Sequence, residues 1–188
     1  MDNRELRQKI VETGVRLLDA NLVQGTWGNL SARADEFHML ITPSGIDYRV
    51  LKPEELVLMD IRDLSYPEGS LKPSSERGIH AGVMLARKEI GAVIHSHPNA
   101  CSVFAAAHAP LQLKDKSHAA LFNSEKIGVA EYGLPSTKKL VRNTIAGIGN
   151  ANAVFMANHG VMCAGSDLDA AFNLLQLLES LCAEAVFN

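Results

Sequence analysis

The histidine pair His95 and His97 constrains this chain more than any other feature, because of what flanks it. Ala92-Val93-Ile94 is a short apolar run of the kind that forms a buried strand. Side chains alternate across a strand, so residues two apart share a face. Pro98 then removes a ladder donor and ends the strand. Two imidazoles are thereby aimed at one point from a rigid element, which is how many metal sites begin. A bare His-x-His also occurs as plain polar strand ends, so the rest of the chain has to decide.

A third histidine, His159, sits in Asn158-His-Gly160 between two apolar runs, 153–157 and 161–164, that read as strands. Turn chemistry accounts for the Asn and the Gly, but not for the His between them. Glu76 lies in Lys72-Pro-Ser-Ser-Glu76, where Ser74 or Ser75 is expected to cap a helix running to about Lys88. A carboxylate in a first helical turn is favoured for stability alone. Free N–H groups at the same helix start would also welcome a phosphate. Three neutral imidazoles leave one open position on a tetrahedral ion, the arrangement of catalytic zinc, with Glu76 at hand as a base. Gln24-Gly-Thr-Trp-Gly-Asn-Leu-Ser-Ala-Arg33 reads as a Gly/Asn/Ser turn, or alternatively as an anion-cradling loop. His80, four residues after Glu76 on one helix face, is expected to pair with it; His108 and His118 read as surface or supporting groups.

The remaining helices follow from apolar spacing: 3–22 capped by Asp2 or Asn3, a short one at 52–56, 99–107, one capped by Ser136 to about Ile148, and a final one with a Ser166/Asp169 cap pattern running to Asn188. Strands are expected at 38–41 and 57–59, a loop over 60–69, and 110–135 shows no clear period. The final helix carries no stop signal, so a longer native tail is the expectation.

Bulk properties narrow the function. With 188 residues, 47% hydrophobic, the chain has enough material for one domain spanning 1–188. A net charge of −3 supplies no field for nucleic acid or an anionic membrane, so neither is an expected partner. No apolar run approaches the ~20 residues that span a bilayer, and the N-terminus has no signal-peptide core. Three cysteines without CxxC spacing point to reduced thiols and a cytoplasmic location.

His95-Ser-His97-Pro98 resembles the signature of zinc-dependent deubiquitinase-type peptidases, but their Ser-x-x-Asp third ligand is missing: Ser102 is followed by Val103, Phe104 and Ala105. A wider resemblance covers nearly the whole chain. Gly25-Thr-Trp-Gly-Asn-Leu-Ser31, Thr42-Pro-Ser-Gly-Ile46, Ser74-Ser-Glu76, His95-Ser-His97 and Asn158-His-Gly160, in this order and spacing, resemble the class II aldolase/adducin family, and within it the L-fuculose-1-phosphate aldolases.

The resemblance implies a three-layer α/β/α fold around a mixed, largely antiparallel sheet, and a homotetramer with active sites at subunit interfaces. It implies that His95, His97 and His159 bind zinc or another divalent metal, that Glu76 is the catalytic acid/base, and that Gly28, Asn29, Ser44, Gly45, Ser74 and Ser75 hold a substrate phosphate. The implied reaction cleaves a ketose 1-phosphate to dihydroxyacetone phosphate and an aldehyde through a metal-stabilised enediolate. Lactaldehyde, acetaldehyde and methylthioacetaldehyde all fit the unspecified half. Epimerisation, dehydration or decarboxylation of a phosphorylated sugar or sugar acid is the alternative, although epimerases of the family usually carry Asp where Glu76 stands. Adducin-type binding modules lose the metal ligands, and this chain keeps them. Where family aldolases place a proton-donating Tyr from the neighbouring subunit, this chain has Leu113-Lys-Asp-Lys-Ser-His118, with Lys116 and His118 as the candidate substitutes.

Overall fold

The computed structural model describes residues 3–187. Helix α1 (Asn3–Asp19) is followed by strands β1 (Gly28–Arg33) and β2 (His38–Ile41), a 3-10 turn (Pro53–Glu55) and β3 (Val57–Asp60). Then come α2 (Arg77–Ala86), β4 (Ala92–Ser96), α3 (Asn99–Ala107), β5 (Leu111–Gln112), α4 (Lys116–Phe122) and β6 (Lys126–Ala130). Helix α5 (Lys138–Ile148), β7 (Ala153–Met156), β8 (Gly160–Gly165) and α6 (Leu168–Phe187) complete the order.

The eight strands form one sheet in the order β3-β2-β1-β4-β8-β7-β6-β5. Only β6 and β7 run parallel; the other neighbours are antiparallel. Strand alternation divides the apolar residues between two cores. Leu30, Ile94, Phe155 and Cys163 face a layer that includes Ile10 and Leu17 of α1 and Phe172, Leu175 and Leu178 of α6. Their strand neighbours Val93, Val154, Met156 and Met162 face the opposite way, onto Ile79 and Val83 of α2 and Leu140 and Ile148 of α5. The expected helix–sheet–helix layering is thus present. Fully burying one such aliphatic side chain contributes about 1.5–3 kcal/mol.

Several element boundaries differ from expectation for identifiable reasons. The stretch 28–33, expected as part of a turn, is a central strand between β2 and β4. Its Gly, Asn and Ser look like turn residues because polar groups face inward there. Helix α2 begins at Arg77, with Glu76 at the N-cap and Ser74 and Ser75 before it. Ser74 Oγ accepts from the Glu76 N–H and holds a turn ahead of the helix. Helix α5 is capped by Thr137, which accepts from the Leu140 N–H; Ser136, expected as the cap, has a left-handed φ of 65°. At α6 the Ala170 N–H bonds Asp167 rather than Ser166. Helix α1 stops at Asp19, short of residue 22. Asp2, one of its two expected caps, and Asn188, the expected end of α6, lie outside the described residues. The unreadable stretch 110–135 holds β5, α4 and β6, of which the first two have only 2 and 7 residues.

Among the described residues no helix is long and apolar enough to cross a membrane.

Candidate active site

The site grows from the register of three strands. Asn29 of β1 lies directly opposite His95 of β4, and His95 lies opposite Met162 of β8. His97 follows β4 immediately, and His159 stands in the corner between β7 and β8. The Asn158 backbone is left-handed, at φ 54°, which sharpens that corner. Gly160 is required by close approach: a Cβ there would lie 2.5 Å from His97 Cδ2 and 2.6 Å from the Ser96 carbonyl. The result is three imidazoles whose ligand atoms all lie within 4.8 Å of one another.

Two rings are oriented by their second nitrogens. His95 Nδ1 donates to the Val161 carbonyl at 2.9 Å, and His97 Nδ1 to the Trp27 carbonyl at 2.8 Å. Those bonds commit the Nδ1 protons, so each Nε2 presents a lone pair, the tautomer a metal requires.

Glu76 is brought over the triad by the start of α2. Its Oε2 lies 2.8 Å from His95 Nε2 and its Oε1 3.3 Å from His159 Nε2. The close contact to His95 lacks hydrogen-bond geometry: Glu76 Oε1, His95 Nε2 and His159 Nδ1 are all buried without a hydrogen-bond partner. Each such orphan costs about 1–3 kcal/mol. A cation fits this place, because it would take the imidazole lone pairs and balance the carboxylate at once. Burial pushes the Glu76 carboxyl up, whereas positive charge on His95, His159 and His80, when those rings are protonated, pulls it down to about 2. Burial and the neighbouring His95 push His159 down to about 4 and also lower His97. Neutral rings beside an ionised carboxylate are what a divalent ion binds.

Beside this cluster a pocket opens, lined by Gly28, Asn29, Ser44, Gly45, Ser74, Ser75, Glu76, His97 and His159. Two loops are zipped together to form it. Ser44 N–H bonds the Lys72 carbonyl at 2.9 Å, Ser74 N–H bonds the Thr42 carbonyl at 3.1 Å, and Pro43 bridges Pro73. Gly45 supplies the φ of 76° that turns the first loop. No Lys or Arg lines this pocket. Its donors are hydroxyls, an amide and the Ser75 backbone N–H ahead of α2, which suit a phosphate through hydrogen bonds and the helix dipole.

All ten site residues expected from the sequence therefore meet in one place. The structure adds Thr26, Trp27, Pro43 and Pro135 to the lining, with Trp27 70% exposed at the rim. His80 is corrected: it forms no hydrogen bond with Glu76, but one with Ser31 Oγ at 2.7 Å and one with Asn29 Oδ1. Burial, with the neighbouring His95, pushes its imidazole down to about 3. Once 28–33 is known to be a strand, the pairing follows, since Asn29 and Ser31 are two apart and share a face of β1. His108 ends α3 in a left-handed conformation, and His118 lies in α4; neither lines the pocket. Lys116 likewise stays outside it.

A metal-ligand triad and a helix-start carboxylate, mounted on a mixed sheet between helical layers, define a metal-dependent α/β enzyme scaffold. The chain belongs to the family described as class II aldolase and adducin N-terminal domain, whose model matches residues 8–186. Among curated relatives, the chain is 34% identical over 181 residues to an L-fuculose phosphate aldolase of Haemophilus influenzae, covering 96% of this chain and 82% of the relative. It is 31% identical over 185 residues to a 5-deoxy-D-ribulose 1-phosphate aldolase of Bacillus thuringiensis, covering 97% and 84%. A solved L-fuculose 1-phosphate aldolase superposes with a TM-score of 0.89 at 32% identity, over 98% of this chain and 88% of the other.

Proposed function

We propose that the protein is a zinc-dependent aldolase that cleaves a ketose 1-phosphate, of the L-fuculose 1-phosphate or 5-deoxyribulose 1-phosphate kind, into dihydroxyacetone phosphate and an aldehyde. The observation that carries this reading is the placement of Glu76. Its carboxylate lies 2.8 Å and 3.3 Å from two imidazoles of the triad while also lining the neutral donor pocket. The names of the two curated relatives support the substrate class.

In this reading, His95, His97 and His159 hold the divalent ion, which when bound acts as a Lewis acid on the substrate's oxygens. Asn29, Ser44, Ser74 and Ser75, with the backbone at Gly28 and Gly45, take the phosphate and fix the distance from it to the reacting carbons. Glu76, which borders both the triad and the pocket, is assigned the proton transfer at those carbons. Once the C3–C4 bond has broken, it delivers a proton to C3 of the dihydroxyacetone phosphate half; in the synthetic direction it removes that proton. Burial on the triad side keeps bulk water from competing for the same proton. The proton at the aldehyde oxygen is assigned to Lys116 or His118 of a neighbouring subunit in a homotetramer, because neither residue reaches the pocket of its own chain.

The test is product analysis of the zinc-loaded protein with a panel of ketose 1-phosphates, including L-fuculose 1-phosphate, 5-deoxyribulose 1-phosphate and 5-methylthioribulose 1-phosphate. Dihydroxyacetone phosphate together with an aldehyde is the expected outcome. A dehydrated sugar or an isomeric ketose phosphate without dihydroxyacetone phosphate would reject cleavage and assign the site to dehydration or epimerisation; carbon dioxide released from a phosphorylated sugar acid added to the panel would assign it to decarboxylation.

A further inference from the structure

Ser31, His80 and Asn29 form a hydrogen-bonded chain that ends at the pocket. Ser31 and His80 are fully buried, and Asn29 is 9% exposed. His80 Nδ1 meets Ser31 Oγ at 2.7 Å, and His80 Nε2 meets Asn29 Oδ1. Among the hydrogen bonds of the described residues, His80 is the sole partner of Ser31 Oγ. That fact sets the direction of the chain. Were Nδ1 to carry the proton, the Ser31 hydroxyl hydrogen would be buried with no acceptor, at a cost comparable to a lost hydrogen bond. With Ser31 donating to Nδ1, no donor is stranded, and Nε2–H donates to Asn29 Oδ1. The oxygen of the Asn29 amide is then committed to the interior. Its nitrogen is the atom left for the pocket that Asn29 lines.

We propose that His80 is a positioning residue of the phosphate pocket: it locks the Asn29 amide with its NH2 group toward the substrate phosphate. The inference rests on reading that pocket as a phosphate site. An unrestrained Asn can rotate its amide and present an oxygen acceptor to an anion, which repels it. In a pocket without Lys or Arg, one such reversal removes a substantial share of the attraction. The chain also accounts for β1 itself. A central strand carrying Asn and Ser on its inner face is the cost of building a fixed donor out of neutral groups. Helix α2 supplies both Glu76 and His80, so one rigid element orients the proton-transferring group and the phosphate donor together.

The test pairs a tautomer measurement with phosphate binding, using zinc-loaded protein throughout. Selective nitrogen-15 histidine spectra should show His80 as the Nε2–H tautomer at neutral pH, assigned by loss of its signals in His80→Gln. The competitive inhibition constant of inorganic phosphate should rise about tenfold or more in His80→Phe, the weight of one hydrogen bond to a charged group. KM for the ketose 1-phosphate should rise alongside it by more than kcat falls, with zinc content within about twofold of wild type. His80→Gln places an amide N–H near the Nε2 position and should recover most of the phosphate affinity. Ser31→Ala, a smaller change in the core, should weaken phosphate in the same direction if His80→Phe fails to fold. An Nδ1–H tautomer overturns the proposal, as does unchanged phosphate inhibition in whichever of His80→Phe and Ser31→Ala folds. Wild-type protein that ignores inorganic phosphate overturns the pocket assignment itself, a result distinguishable from failure of His80 alone.

Discussion

At the residue scale, Glu76 departs most clearly from what its place at a helix start would ask of it. It occupies the N-cap of α2, where a short polar side chain normally accepts from a backbone N–H two or three residues on. Its side chain makes no such bond. The carboxylate turns away from the helix, toward His95 and His159. The carboxylate thus faces the histidine cluster instead of capping α2. Glu76→Gln keeps the volume and most polar contacts but cannot carry a proton. The expected result is a near-unchanged melting temperature, retained zinc by metal analysis, and a kcat lower by about 10²–10⁴. Cleavage within a few-fold of wild type would return Glu76 to a purely local role.

The elements explain what could and could not be read in advance. Strands β4, β7 and β8 are buried along their whole length, and their apolar runs announce them. That these ten residues would meet in one place was legible because they sit in five separated motifs whose spacing survives without any structural knowledge. Strand β1 was not legible, since its inward residues Asn29 and Ser31 serve the buried polar chain and imitate a turn. Helix α4 and strand β5 are too short to develop a period. The start of α3 depends on a partner 79 residues away in sequence: Glu179 of α6 accepts from the N–H groups of Ala100 and Cys101, at 2.8 Å each. Pro98, at the N-cap, offers no side-chain acceptor. No local signal marks such a borrowed cap. Because α3 begins two residues after His97, the bond also steadies the segment carrying a triad imidazole. Glu179→Ala should lower unfolding free energy by about 1–2 kcal/mol, as for loss of a cap strengthened by charge. Chemical denaturation measures it, and a change below about 0.5 kcal/mol, the scatter of neutral surface substitutions, would show that the cap adds nothing.

The whole molecule raises the question of what completes the site. At the pocket, Trp27 is 70% exposed, and Leu134, next in sequence to the lining residue Pro135, is 62% exposed, while residues of the segment 111–118 line a different pocket. A single subunit thus offers the triad, Glu76 and the neutral donor pocket, but neither Lys116 nor His118, the groups proposed for the aldehyde oxygen. If neighbouring copies in a closed ring complete one another, two inactive variants should complement. A Glu76→Gln subunit keeps Lys116 and His118; a Lys116→Ala/His118→Ala subunit keeps Glu76. Each homo-oligomer should be nearly inactive. Co-refolded in equal amounts, they should assemble with a mass about four times that of one 20.3 kDa chain. In random mixing, about a quarter of the interfaces join an intact Glu76 to an intact neighbouring segment, so about a quarter of wild-type activity should return. Light scattering gives the mass and the cleavage assay gives the recovery. No recovery from a mixed tetramer of the expected mass, or full activity in the Lys116→Ala/His118→Ala protein, would show that each chain finishes its own site.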